Sequence, residues 1–382
     1  MCFLESCCRL KNKLGDGNGL TGLFLSISLK EMAQETERRI EIDGSHGEGG
    51  GQILRTALAL SALLNRPLTV HQIRAKRKNP GMGRQHLTAV DALGKIAGAR
   101  VEGGALASQT LRFIPNGISP GDYQFRIGTA GSITLLLQAL LLPLSQSREN
   151  SKLILEGGTH VPWSPPFHYL QEILFPVLRL MGVSVKSHLE RWGWYPRGGG
   201  ILSVEIQPGF GLNPLSLLNR GDLKKIRGLS AASNLPRHIV ERQRDEALRR
   251  IEKVMKVEGE ISLLSDPPAT GQGSFLFLVA EFEEVTAGFS ALGQRGKPAE
   301  EVAKEAFLSL QNFMESEGCI DPHLADQLVP FMALAKGRSS FTTSRITEHL
   351  LTNLWVVQQF LNVKISRQGE KGSLGKIELF NE

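Results

Sequence analysis

The chain has 382 residues, room for two domains or one large domain carrying an insert. Hydrophobic residues make up 41% and charged ones 21%, the balance of a soluble globular protein, and no apolar run reaches the length of a membrane span. The net charge of +6 is compatible with a polyanionic partner without requiring one. The 41 Gly fall in short clusters with no period, which excludes collagen-like and low-complexity chains and points to tight turns. The four Cys, three of them among the first eight residues, give neither a disulfide framework nor a zinc spacing. A reducing, cytoplasmic compartment is therefore expected.

In chain order, residues 1–37 read as an N-terminal extension, either disordered or a product of start-site choice. The Leu20 to Leu29 stretch is too short for a span and lacks a cleavage site. A repeated pattern follows: apolar strand, Gly-rich turn, helix. Arg39 to Asp43 alternates as a half-buried strand, Gly44 to Gly51 turns, and Gln52 to Leu64 is helical. Pro67 to Ile73 returns as a strand, and a helix is expected over Gln85 to Ala97. Asp122 to Ile127, Gly128 to Gly131 and Ser132 to Leu144 repeat the pattern. A third copy is read from Lys152 to Glu156, through Gly157-Gly158, into a helix from Pro166 to Met181. After Gly198-Gly199-Gly200 and a strand over Ile201 to Ile206, the composition changes. A basic helix over Pro236 to Val257 and strands near Ile261 and Phe275 to Phe282 mark an insert, bounded at 207–297. A helix over Glu300 to Glu317 and two centred near Val329 and Leu354 close the chain. The fold class is α/β with repeated units, and the large domain takes residues 38–206 and 298–382.

Asp43-Gly-Ser-His-Gly-Glu-Gly-Gly-Gly-Gln-Ile-Leu-Arg55 places glycines before a helix, where backbone N–H groups and the helix dipole favour a phosphate. Glu48 would repel that anion unless a divalent metal bridged them, and hard oxygen ligands suit Mg²⁺ or Mn²⁺. Arg55 lies one turn into the helix. The bland alternative is a flexible turn with solvated charges. In Arg74-Ala-Lys-Arg-Lys-Asn-Pro-Gly-Met-Gly-Arg-Gln-His86, five cations fall within eleven residues around Pro and Gly. A fixed turn there presents Arg74, Arg77 and Arg84 to phosphates; an exposed basic loop is the alternative. Gly128-Thr-Ala-Gly-Ser132 repeats the turn-before-helix device. Gln138, two turns on, reads first as a core residue satisfying a carbonyl and second as a ligand contact. Thr347 is a suitable N-cap, which puts His349 in the first turn of the last helix. The positive end of the dipole there disfavours imidazolium, and a neutral His is a competent nucleophile toward phosphorus. His323 competes for the same role.

Together these segments resemble the RNA 3'-terminal phosphate cyclase family. The likeness runs from about Arg38 to the C-terminus through D-G-S-H-G-E-G-G-G-Q-I-L-R, R-x-x-R-x-x-P-G-x-x-R-Q-H, G-T-A-G-S, G-G-T, R-G-K-P-A-E-E-V, H-L-A-D-Q and E-H-L-L-T-N. It implies three repeated units, each two helices on a four-stranded sheet, plus a smaller inserted α/β domain. It also implies a reaction in which a His attacks ATP to form His–AMP and AMP passes to an RNA 3'-phosphate. The 2'-OH then closes a 2',3'-cyclic phosphate.

By position, the resemblance makes His349 the nucleophile and Glu48 the metal carboxylate. Arg55, Arg74, Arg77 and Gln85 become phosphate-holding residues. Gln138, Pro165, His323, Leu324, Ala325, Asp326 and Gln327 form the ATP pocket. The implied partners are ATP, RNA 3'-phosphate ends and Mg²⁺ or Mn²⁺, with no membrane; the oligomeric state stays open, a homodimer included. Non-catalytic relatives lose the nucleophilic His and several Arg, whereas His349, Arg55, Arg74 and Arg77 are present here.

Overall fold

A helix that follows a strand and lies back across it forces the next strand in parallel, and this chain does so repeatedly. The structure, a computed structural model, describes residues 39–382 apart from residue 210, so the extension expected over 1–37 lies outside the described residues. Residues 40–382 form one compact unit.

The first repeat runs β1 (Ile40–Asp43), α1 (Gly51–Leu64), β2 (Leu68–His71), α2 (Arg84–Ile96), β3 (Arg100–Glu102) and β4 (Leu111–Ile114). β1 and β2 pair in parallel, with Ile40 opposite Leu68, and the sheet order is β1-β2-β4-β3. The second repeat is β5 (Asp122–Arg126), α3 (Ile133–Ser145), β6 (Ser151–Gly157), α4 (Phe167–Tyr169), α5 (Phe175–Leu180), β7 (Ser184–Arg191) and β8 (Gly200–Gln207). A π-helical turn over Leu170–Leu174 joins α4 to α5. Its order, β5-β6-β8-β7, is that of the first sheet.

The third repeat opens with a two-residue strand, β9 (Ser216–Leu217), which pairs in parallel with β14 (Gly337–Thr343). Its helices are α8 (Pro322–Leu334) and α9 (Glu348–Phe360), and β15 (Lys364–Gln368) and β16 (Gly375–Asn381) complete the order β9-β14-β16-β15. Between β9 and α8 sit β10 (Leu223–Ser233), α6 (His238–Arg250), β11 (Gly259–Ser265), β12 (Gly273–Phe282), β13 (Thr286–Leu292) and α7 (Ala299–Met314), with a fourth sheet ordered β11-β10-β12-β13.

The three-unit architecture implied by the resemblance is the one observed, with one correction to the reading of an individual segment. The strand at Ser151–Gly157 does not begin a third copy; it hydrogen-bonds in parallel to β5 and is the second strand of the second repeat. The fourth sheet, Leu223 to Leu292, lies within the 207–297 segment. β9 belongs with β14, and α7 packs against α6, β12 and β13.

The first helices of the repeats meet at the centre. α1 packs on α3 and α9, and α3 is apolar nearly all round, as a fully enclosed helix must be. Its Leu136, Leu137, Leu140 and Leu144 are buried, each stabilising the fold by roughly 1.5–3 kcal/mol. On α6 the arginines are answered locally: Arg242 with Glu300, Arg237 with Glu241, and Arg249 and Arg250 with Glu246.

Candidate active site

The glycine loop between β1 and α1 is fixed by α9. His46 stacks on Trp355 with ring centroids 3.9 Å apart and planes 11° off parallel. Gly47 turns at φ +54°, and a Cβ there would sit 2.5 Å from Thr352 Oγ1, so only glycine brings the loop this close. Glu48 is thereby aimed at the start of α9. Thr347 caps that helix, its Oγ1 accepting the Leu350 N–H at 3.1 Å, which places His349 in the first turn.

Glu48 Oε2 lies 3.1 Å from His349 Nε2 and 3.0 Å from Arg77 Nη2, so one carboxylate joins the two. Burial holds the His349 imidazole below its ordinary range, against the pull of Glu48 and with help from Arg55, His323 and Arg77. The ring is therefore neutral at neutral pH.

Behind this pair is a cavity of about 630 Å³. The first repeat contributes Glu48, Gln52, Arg55 and Thr56 to its wall; the second contributes Gln138, Trp163, Pro165 and Tyr169. His323, Asp326, Gln327, His349 and Asn353 come from the third, and Phe289 comes from β13. Gln52 Nε2 donates to Asp326 Oδ2 at 2.9 Å and to the His349 carbonyl at 3.2 Å. Thr56 Oγ1 donates to Asn353 Oδ1 at 2.9 Å, and Asn353 Nδ2 to the Asp326 carbonyl at 2.8 Å. Gln138 donates to Gln327 Oε1, whose own amide donates to the His323 carbonyl at 2.7 Å.

Burial pushes the Asp326 carboxyl up to about 8, with Asp321 and Glu48 adding to the rise and Arg55 opposing it. Burial likewise lowers Arg55 to about 10 despite the attraction of Asp326. For both partners desolvation outweighs their mutual attraction.

The other expected residues sit differently. Arg74, at φ +54°, donates from Nη1 to the Gly81 carbonyl at 2.7 Å and so braces its own loop. Gly81 allows this, because at φ +79° any Cβ would lie 2.1 Å from the Ala107 carbonyl oxygen. Gln85 stands off the cavity wall; its Oε1 accepts the Ser132 N–H at 2.8 Å, so it fastens the glycine turn before α3. Leu324 and Ala325, expected at the ATP pocket, are completely buried on the core side of α8 and do not line the cavity. Gln138 lines the cavity instead of satisfying a core carbonyl, as its first reading has it.

Several cavity residues escape sequence reasoning. Gln52 and Asn353 each sit one helical turn from a residue singled out, three before Arg55 and four after His349, and that spacing was the available signal. Tyr169, on the cavity wall, and Asp321, its partner behind the wall, carry none individually. Both are buried, and the Tyr169 hydroxyl donates to Asp321 at 2.8 Å.

Residues 46–366 match the family model described as RNA 3'-terminal phosphate cyclase. The chain belongs to the RNA 3'-terminal phosphate cyclase family. Curated relatives of that name include those from Staphylothermus marinus, 45% identical over 89% of this chain and 97% of the relative, and Gloeothece citriformis, 43% identical over 84% and 93%. The Pyrococcus furiosus cyclase is 42% identical over 89% of this chain and 98% of its own length. Among solved structures, the enolpyruvyl transferase NikO from Streptomyces tendae aligns over 90% of this chain and 48% of that one, at 12% identity and a TM-score of 0.36. For a member of the cyclase family, the His349–Glu48–Arg77 cluster at the cavity mouth is the group to which chemistry is assigned below.

Among the described residues no cluster of three or more His, Cys, Asp or Glu is placed to hold a metal ion, and no helix is long and apolar enough to cross a membrane. A single carboxylate beside a cationic pocket still suits Mg²⁺ or Mn²⁺ brought in on nucleotide phosphates, since such ions keep most of their waters and take few protein ligands.

Proposed function

We propose that the protein converts an RNA 3'-terminal phosphate to a 2',3'-cyclic phosphate at the expense of ATP, with His349 as the adenylylated nucleophile. The observation that carries this reading is the neutral His349 imidazole 3.1 Å from Glu48, on a cavity lined by Arg55 and, through Glu48, joined to Arg77. Family membership supports the substrate class.

A phosphate monoester is a poor electrophile, and attaching AMP supplies a leaving group. A His349 ring nitrogen attacks the α-phosphorus of ATP; the N–P bond forms and pyrophosphate leaves with the electrons of the broken P–O bond. An oxygen of the RNA 3'-phosphate then attacks the same phosphorus, regenerating His349. The vicinal 2'-hydroxyl finally attacks the 3'-phosphorus, loses its proton and expels AMP. Gln138, Pro165, His323 and Gln327 would hold the nucleotide, with Asp326 near its phosphates. Arg55, Arg74 and Arg77 would meet anionic oxygens, where guanidinium geometry is suited to phosphate. Glu48 would hold the divalent cation, whose charge would offset that of the ATP phosphates. A cytoplasmic location goes with this reading.

Incubating the protein with α-labelled ATP and Mg²⁺ or Mn²⁺ should leave an acid-labile label on the denatured chain. Adding an oligoribonucleotide 3'-phosphate should discharge it. A well-folded protein that takes no label overturns the reading.

The pH dependence follows from the imidazole. Its pKa is depressed below 6.5, so the nucleophilic neutral form persists as pH falls through 6.5 and is lost only at lower pH. The acid limb of the labelling rate should therefore have its midpoint below pH 6.5. A midpoint above 6.5 would contradict the assignment.

A further inference from the structure

Trp163 stands on the wall of the cavity. Trp163 is 95% exposed, whereas Trp192 and Trp194 are buried. It stands at φ +59°, a left-handed conformation that a residue other than glycine, Asn or Asp seldom adopts. Such strain persists where the surrounding structure fixes it, and here the fixing bonds are explicit. The Phe167 N–H donates to the Thr159 carbonyl at 3.0 Å and closes the loop at its base. The Ser164 hydroxyl donates to the Val161 carbonyl at 3.0 Å, and Thr134 Oγ1 donates to the Pro165 carbonyl at 2.7 Å. Pro162, Pro165 and Pro166 stiffen what remains. A rigid loop thus holds a large aromatic face in solvent at the rim of the cavity.

We propose that Trp163 is a stacking platform for a nucleobase at the 3' end of the RNA. This inference rests on the reading above, which places an RNA 3'-phosphate in the same cavity. A preformed aromatic face binds a base with little ordering cost, and stacking tolerates any base because every base has a π-face. That tolerance suits RNA ends that differ in sequence. The enclosed part of the cavity has the opposite character. The amides of Gln138 and Gln327 offer directional hydrogen bonds, which suit the one invariant base, that of ATP. Arg55 lines the same cavity as Trp163, so a terminal phosphate held by Arg55 can leave its base at the rim.

The test uses the full-length protein and an oligoribonucleotide with a 3'-phosphate and 2-aminopurine as its last base. Wild type should quench the 2-aminopurine fluorescence on binding, Trp163→Phe should keep part of that quench, and Trp163→Ala should lose it. In turnover, Trp163→Ala should raise KM for the RNA about 5- to 150-fold, the equivalent of the ~1–3 kcal/mol a stacked base contributes, and by more than any change in KM for ATP. A rise in KM for ATP equal to or larger than that for RNA overturns the proposal and assigns the platform to adenine. An unchanged quench and unchanged KM for RNA overturn it as well. If wild type takes no label from ATP, the proposed function fails on its own terms, while the fluorescence assay still decides whether Trp163 stacks on an RNA base.

Discussion

His349→Ala is expected to lose the covalent label and to reduce cyclisation by about 10³-fold or more, because removing a nucleophile removes the intermediate and not merely a contact. The variant should fold. The imidazole is half exposed, and the cap of its helix is Thr347. His323→Ala should keep the label, since His323 lies across the cavity on α8 and has no bond to Glu48. A sharper readout comes from bypass: supplied with RNA already carrying AMP on its 3'-phosphate, His349→Ala should still close the cyclic phosphate, because the 2'-hydroxyl attack does not use the imidazole. Loss of closure on that substrate would mean that His349 acts elsewhere in the reaction, and retention of the label would exclude it as the nucleophile.

Asp321→Ala is expected to cost about 2–5 kcal/mol of stability, read as a fall in the urea midpoint. The carboxylate is completely buried and meets two needs at once. Its Oδ1 caps α8 by accepting the His323 and Leu324 N–H groups at 2.9 and 3.1 Å. It also accepts the Tyr169 hydroxyl at 2.8 Å, from a residue on the second repeat. Truncation leaves two helix N–H groups and a buried hydroxyl without acceptors. Asp321→Asn keeps an oxygen in place and should lose much less. A drop below 1 kcal/mol for Asp321→Ala would show that water replaces the carboxylate, which its complete burial argues against. Since α8 also carries His323, Asp326 and Gln327, the same variant should weaken ATP binding.

Much of the fold was legible because glycine punctuates it. The helix expected from Gln52 begins at Gly51, and the one expected from Gln85 begins at Arg84. Strand partners were not legible, because pairing is not written locally. The Ser151–Gly157 strand has the same apolar alternation whether it opens a repeat or lies second in one. A two-residue strand such as β9 leaves no periodicity at all, and an amphipathic helix such as α7 reads alike on either of two sheets. At the site, Thr347 and His349 could be placed from capping alone. The meeting of Glu48 with His349 could not, since it depends on a stack between His46 and Trp355 that no spacing announces. Leu324 and Ala325 came with the motif as a block, and the helix turns their side chains into the core.

The bonds that close the site join residues very far apart along the chain. Gln52 reaches the His349 carbonyl, and Thr56 reaches Asn353, each across 297 residues. At a synthesis rate of about 5–20 residues per second, α1 waits roughly 15–60 s after its own completion before α9 exists to cover it. During that interval α1 has β2, α2 and then α3 as partners, and His349 has not been made. On the proposed chemistry, the growing chain cannot take AMP until His349 has been made. The glycine loop and the residue proposed to be adenylylated come together in one step, when α9 docks.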